Sequence, residues 1–295
     1  MAARIIDGRG IANEVRAALA VEVSALKQKG VRPGLGVILV GDDPASESYV
    51  RGKERACEKI GIYSDNRKMS ADICDEDLLK VIEQMNADDR IHGILVQLPL
   101  PAHINESEMI EAVSPCKDVD GFHPFNVGRM VAGGEGFLPC TPQGIVELLV
   151  RSGVRIEGSQ VVIVGRSNIV GKPLANMLIQ KTARGNATVT VCHTRTRDLA
   201  SHTRRADILV AAAGRCNTIT ADMVKEGVVV IDVGVNRIED STKKKGYRLA
   251  GDVDFDGVKE KASLITPVPG GVGPMTITML LYNTVSSAKK AAGLQ

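Results

Sequence analysis

Apolar residues in the first hundred positions alternate between a helical period and unbroken runs. From Gly10 to Lys29 they recur at Val15, Leu19, Val23 and Leu26, the spacing of one helix face. Gly36-Val37-Ile38-Leu39-Val40 is a continuous run that predicts a strand buried on both sides. The turn Gly41-Asp42-Asp43-Pro44 then opens a helix that reaches about Ile60 and stops at Gly61. Ile62–Met69 suggests a second strand. Asp75-Glu76-Asp77 load the start of a helix over Leu78 to Asn86 with acids that suit its dipole. A third strand, Gly93 to Leu98, is closed by Pro99-Leu100-Pro101. This alternation predicts right-handed βαβ units on a parallel sheet.

Residues 114–141 break the pattern. They are dense in turn formers and hold Phe122 and Phe125, which marks a functional loop more than a linker. Thr141-Pro142 then starts a helix to about Val150. A second α/β stretch follows: a strand at Gln160–Val164, a glycine-bounded turn, and a helix from Pro173 to about Ile179. Further strands are expected at Thr188–Cys192, Ile208–Ala212 and Val228–Val233. Asn236 to Asp256 reads as an insertion at the sheet edge, with an exposed turn at Lys243-Lys244-Lys245-Gly246. The tail, Met275 to Ala291, is a helix expected to return to the first domain, because alone it would expose Leu280 and Leu281. The expected fold is α/β with two domains. One takes residues 1–141 plus 275–295, and the other residues 142–274.

Composition narrows the classes. The 295 residues are 44% hydrophobic and 24% charged, ordinary for a globular protein, and the near absence of aromatics calls for an aliphatic core. A net charge of +2 argues against a nucleic-acid partner. No apolar run suits a signal peptide or a membrane span. Six cysteines without a C-x-x-C pair read as reduced, buried thiols of a cytoplasmic protein, and no Cys/His grouping has zinc-ligand spacing.

Four stretches carry candidate chemistry. Tyr49 and Lys53 lie four apart on the helix after the first strand, so they share a face beside a strand end, where open α/β sheets bind ligands. The plainer alternative is a solvated helix face. Gly165-Arg166-Ser167, ending at Gly171, delivers a strand to a helix N-terminus, an arrangement that attracts phosphate. It is no P-loop, since five residues separate the glycines and Pro173 stands where a Ser/Thr would hold magnesium. At the next strand end His193-Thr194-Arg195 offers no acid for a ribose hydroxyl, so Arg166 and Arg195 favour a 2′-phosphate and hence NADP over NAD. A structural βα turn is the alternative. Asp252–Gly257 begins like a calcium loop, but Ser263 sits at its twelfth position. Asp118 and Asp120 lack a third metal ligand, so they are expected to anchor their loop, and no metal is expected. Finally, Pro267-Val268-Pro269-Gly270-Gly271-Val272-Gly273-Pro274 fixes a backbone path able to approach a flat ligand, or else makes a tight turn.

Together these stretches resemble one family, the methylenetetrahydrofolate dehydrogenase/methenyltetrahydrofolate cyclohydrolases. The resemblance rests on Ser46–Lys53, Gly93–Pro101 (GILVQLPLP), Lys117–Pro124 (KDVDGFHP), Gly165–Pro173 (GRSNIVGKP) and Thr266–Thr276 (TPVPGGVGPMT), and it spans nearly the whole chain. It implies a folate/catalytic domain, a Rossmann-like NADP domain and a cleft between them. The implied activity oxidises 5,10-methylenetetrahydrofolate with NADP and hydrates the product to 10-formyltetrahydrofolate, within one-carbon metabolism and purine biosynthesis. By position, Lys53 matches the catalytic lysine, Tyr49 the substrate-stacking tyrosine, Gln97 the lysine's partner and Asp120 the pterin anchor. Val50, Val96, Leu98, Pro269, Gly270 and Gly273 complete the implied folate site. Gly165, Arg166, Ser167, Gly171, His193, Thr194, Arg195 and Val235 make up the implied cofactor site. Family precedent is a cytoplasmic homodimer. Another two-domain NADP oxidoreductase without cyclohydrolase activity, or a dinucleotide sensor without turnover, would share the coarse fold but leave Tyr49, Lys53 and Gln97 without a use.

Overall fold

The computed structural model describes residues 2–243 and 246–294. In chain order, β1 (Arg4–Ile5) and α1 (Gly8–Gln28) precede β2 (Gly34–Val40), α2 (Pro44–Ile60), β3 (Tyr63–Met69), α3 (Asp75–Ala87) and β4 (Gly93–Val96). Three helices follow: α4 (Glu106–Ala112), α5 (Pro124–Val131) and α6 (Cys140–Arg151). Next come β5 (Gln160–Val164), α7 (Gly171–Ile179), β6 (Thr188–Cys192), α8 (Leu199–Thr203), β7 (Ile208–Ala211) and β8 (Val229–Asp232). The chain closes with β9 (Asn236–Glu239), β10 (Tyr247–Ala250), α9 (Phe255–Lys259), β11 (Leu264–Ile265) and α10 (Val272–Ala291).

Two compact units result. One holds Met1–Ala12 and Thr141–Thr276, the other Asn13–Cys140 and Ile277–Gln295. The expected division put the first twelve residues with the catalytic half. They group instead with residues 141–276, because β1 pairs in parallel with β11, Arg4 opposite Leu264 and Ile5 opposite Ile265. A two-residue strand whose partner lies some 260 positions away leaves no local sign.

In the unit built on residues 13–140, a three-stranded parallel sheet runs β3-β2-β4. Every residue of β2 and β4 is buried, as their unbroken apolar runs require. Leu78, Ile82 and Met85 of α3 and Met109 of α4 pack with Ile38, Ile94 and Val96 in one aliphatic cluster. The α2 helix is bounded by its own chemistry. The Asp43 carboxylate accepts the Ser46 N–H at 2.7 Å, Pro44 occupies the first turn, and left-handed Gly61 (φ 84°) returns its N–H to Cys57 and Glu58. Leu280 and Leu281 of α10 are buried, as expected of a tail that belongs to this unit.

The other unit carries a six-stranded parallel sheet, β1-β11-β8-β7-β5-β6. Its order reverses at β5, which has β6 on one side and β7 on the other. That reversal opens a crevice at the carboxyl ends of β5 and β7, the place where doubly wound sheets bind ligands. The segment read as an edge insertion forms a separate antiparallel hairpin, β9 with β10. Of its expected turn, Lys244 and Lys245 lie outside the described residues. Among the described residues no helix is long and apolar enough to cross a membrane. The cysteines are free, but only Cys57, Cys140 and Cys192 are buried, whereas Cys74 and Cys116 are exposed.

Candidate functional site

Lys53 lies in the middle of α2 and is only 8% exposed. Its ammonium group donates to Gln97 Oε1 at 2.8 Å. Gln97 is the first residue past β4, and its backbone N–H still pairs with Ile38 O of β2 at 2.9 Å. Its side-chain amide donates to Leu98 O at 2.7 Å, which turns Oε1 toward the lysine. Two strand ends therefore fix one acceptor, and that acceptor fixes the amine.

Burial pushes the Lys53 pKa down, while the negative charge of Asp120 pulls it back up. Burial raises the Asp120 carboxyl to about 6, against the favourable charge of Lys53. The Cys140 thiol lies against this carboxyl and donates to Val119 O at 3.2 Å; its pKa is pushed far up by burial. Tyr49, one turn before Lys53, is 44% exposed, so its ring is open to solvent. Val50 and Val96 are packed in the interior, and Leu98 is half-buried.

The two acids of the Lys117–Pro124 stretch divide their work. Asp118 accepts the backbone N–H groups of Gly121, Phe122 and His123 at 2.9–3.2 Å and the Asn126 amide at 2.8 Å. It is the loop anchor expected of the pair, while Asp120 is left facing the lysine. Asn283 of α10 donates to Val119 O and Leu138 O at 2.8 and 3.1 Å, tying the segments on either side of this loop.

In the other unit the chain leaves β5 at Gly165, whose φ of 142° and whose hydrogen position, 2.2 Å from Ala212 O when built out to a Cβ, admit glycine alone. A Cβ at Gly171 would fall 2.1 Å from Gly165 O, so both glycines are needed for the turn to close. The start of α7 has no side-chain cap, while Arg166 and Ser167 are exposed beside it. Ser167 Oγ accepts the Val170 N–H at 3.1 Å, which holds the turn in shape. At the end of β6, His193 Nδ1 accepts the Arg195 N–H at 3.1 Å, and the Thr194 and Arg195 side chains are exposed. Exposed cations, an uncapped helix start and a backbone bare of Cβ atoms fit a phosphate-bearing dinucleotide. The Pro269–Gly273 segment is in this unit as well. Pro269 and Gly273 are exposed, Gly270 has φ 112°, and a Cβ on Gly8 would meet Gly271 O at 1.9 Å.

Residues 6–120 match the model of the tetrahydrofolate dehydrogenase/cyclohydrolase catalytic domain, and residues 139–292 that of its NAD(P)-binding domain. The chain belongs to this family. A Bacillus pumilus protein named bifunctional protein FolD is 60% identical over 98% of this chain and 99% of its own. The structure of the bifunctional FolD enzyme from Campylobacter jejuni aligns with a TM-score of 0.92 at 50% identity, covering 98% of this chain and 99% of that one. The Trypanosoma brucei dehydrogenase-cyclohydrolase, whose structure is a complex with NADP and an inhibitor, aligns at 0.94 and 40% identity over 99% of each chain.

Several residues stand out to which the sequence assigned no part in this site. Cys140 was counted only as a buried thiol, yet it lies against Asp120. Asp232 and Asp252 are buried acids near the carboxyl end of the six-stranded sheet. The sequence sign of Asp232 is a charge closing the all-apolar run Val228–Ile231, and that of Asp252 is the start of the calcium-loop look-alike that Ser263 ruled out.

The Asp120 shift gives a signed expectation for stability. A carboxyl whose folded pKa is raised takes up a proton in the folded state before the unfolded state does. Its contribution therefore grows as pH falls from about 6 toward the ordinary aspartate value and is lost as pH rises through about 6. Urea unfolding of the wild type compared with Asp120→Asn should show this difference, with a slope of up to about 1.4 kcal/mol per pH unit in that window. A flat difference between pH 4 and 6 would show that the carboxyl titrates at its ordinary value.

Proposed function

We infer that this protein oxidises 5,10-methylenetetrahydrofolate to 5,10-methenyltetrahydrofolate with NADP and hydrolyses the product to 10-formyltetrahydrofolate. The observation that carries the reading is the buried Lys53 amine held 2.8 Å from Gln97 Oε1, in a chain that matches bifunctional FolD proteins from end to end. NADP, when bound, accepts the hydride. The oxidation leaves a cation on the folate, so the protein's task there is orientation more than acid catalysis.

Hydration asks more of the side chains. Water adds to the methenyl carbon and must lose a proton, and the ring nitrogen released on opening must gain one. We assign the first transfer to the Lys53 amine, whose protonated form burial disfavours and a nearby folate cation would disfavour further. Gln97 orients the amine, Asp120 binds the pterin, and Tyr49 stacks on the aromatic portion of the substrate. Val50, Val96, Leu98, Pro269, Gly270 and Gly273 are the remaining proposed substrate contacts. Gly165, Arg166, Ser167, Gly171, His193, Thr194, Arg195 and Val235 are the proposed cofactor contacts. Family precedent supports a homodimer whose product feeds purine biosynthesis, and the free cysteines support a cytoplasmic setting.

Two substitutions test these roles. Lys53→Met should lower methenyltetrahydrofolate hydrolysis about a hundredfold or more while folate still binds. Retained hydrolysis would remove Lys53 from the chemistry. Arg166→Ala combined with Arg195→Ala should raise the NADP Michaelis constant about tenfold more than the NAD constant. Equal rises would place the 2′-phosphate elsewhere.

A further inference from the structure

Asp232 and Asp252 are 2% and 0% exposed, and neither has a cationic partner among the hydrogen bonds of the described residues. Backbone satisfies them instead. Asp232 Oδ1 accepts the N–H groups of Gly234 and Asp252 at 3.0 and 2.9 Å, and Oδ2 that of Val253 at 3.1 Å. Asp252 Oδ2 accepts Ala213 and Gly214 at 2.6 and 2.8 Å, and Oδ1 takes the Asn236 amide at 2.9 Å. The Asp232 N–H donates to Thr266 Oγ1 at 2.7 Å, just before the Pro267–Pro274 run. Gly251 and Gly234 lack Cβ atoms that would fall 1.7 and 2.2 Å from these carboxylate oxygens.

The groups so held are not scattered. Ala213 and Gly214 follow Ala212, whose carbonyl abuts Gly165 at the phosphate turn. Gly234 and Asn236 flank Val235, an apolar side chain left 49% exposed between two anchored neighbours. Three loops at the carboxyl end of one sheet thus converge on two carboxylates that sit behind the crevice. Buried charges carry a large solvation cost, and five backbone N–H groups with one amide are what offsets it here. A site that had only to be stable could be filled with apolar side chains.

We propose that Asp252, backed by Asp232, is the positioning residue of the cofactor site, fixing the 212–214 backbone and Val235 against the dinucleotide. The proposal rests on the NADP-dependent reading above. Its consequence is selective, because hydrolysis of the methenyl compound needs no hydride acceptor. Loss of positioning should weaken NADP use and leave hydrolysis largely intact, whereas a purely structural role would lower both together.

Asp252→Asn puts an amide donor where one carboxylate oxygen faces only donors. It should raise the NADP Michaelis constant and the NADPH dissociation constant, read by nucleotide fluorescence, about tenfold, with hydrolysis changed less than about twofold. Asn236→Ala removes one half-exposed donor and should shift the same constants the same way by about threefold; it decides the matter if Asp252→Asn does not fold. Parallel loss of both activities, or unchanged NADP constants in Asn236→Ala, would overturn the proposal. Absence of NADP-dependent turnover in the wild type would instead overturn the functional reading beneath it.

Discussion

An ammonium group removed from water loses the solvation that holds its proton, and the catalytic unit is arranged around one such group. Lys53 is on a helix whose start is fixed by Asp43 and whose end is fixed by Gly61, so the position of its side chain along the helix is set. The acceptor that receives it belongs to a residue still hydrogen-bonded into the parallel sheet. Removing either strand end would leave the amine buried without its partner, a costly state. Asp120 then balances the site: its charge favours the ammonium, burial disfavours it, and burial prevails. A weak acid poised in this way can take up and give back a proton without a large change in its surroundings.

The nucleotide unit solves a different problem with the same chemistry of buried charge. Phosphates need backbone N–H groups and cations, which the Gly165 turn and the exposed Arg166 and Arg195 offer. Loops of that kind have few side chains of their own to hold them. Two carboxylates beside the loops hold them through five backbone N–H groups and the Asn236 amide. In both units the candidate groups sit where the strand order of a parallel sheet reverses, at β2 in one and at β5 in the other.

Much of this was legible in the sequence, for identifiable reasons. The buried strands read as apolar runs, and α2 carried its caps in plain view as Asp43, Pro44 and Gly61. Helices α4 and α5 were not read. Each is eight residues or fewer, and their caps, Asn105 and His123, sit among turn formers that masked them. Strand β1 is not legible in the sequence, and the first twelve residues group with the other half than the one expected, because β1 pairs with β11 some 260 positions away. Spacing alone gave Asp118 and Asp120 the same loop-anchoring role, and only the resemblance set Asp120 apart; the backbone path shows Asp118 holding the loop while the charge of Asp120 acts on the lysine. Asp232 carries no motif and Asp252 only the rejected calcium-loop match, since a carboxylate that binds backbone N–H groups constrains the residue types around it only through glycines such as Gly234 and Gly251.

The central claim is that Lys53 gives up its proton more readily than an ordinary lysine. Nuclear magnetic resonance of side-chain-labelled lysine in the intact protein, with Lys53→Met used to assign the signal, measures this directly. The titration midpoint of Lys53 should lie below the ordinary lysine value and rise toward it on urea unfolding. A midpoint at or above that value in the folded protein would contradict the account.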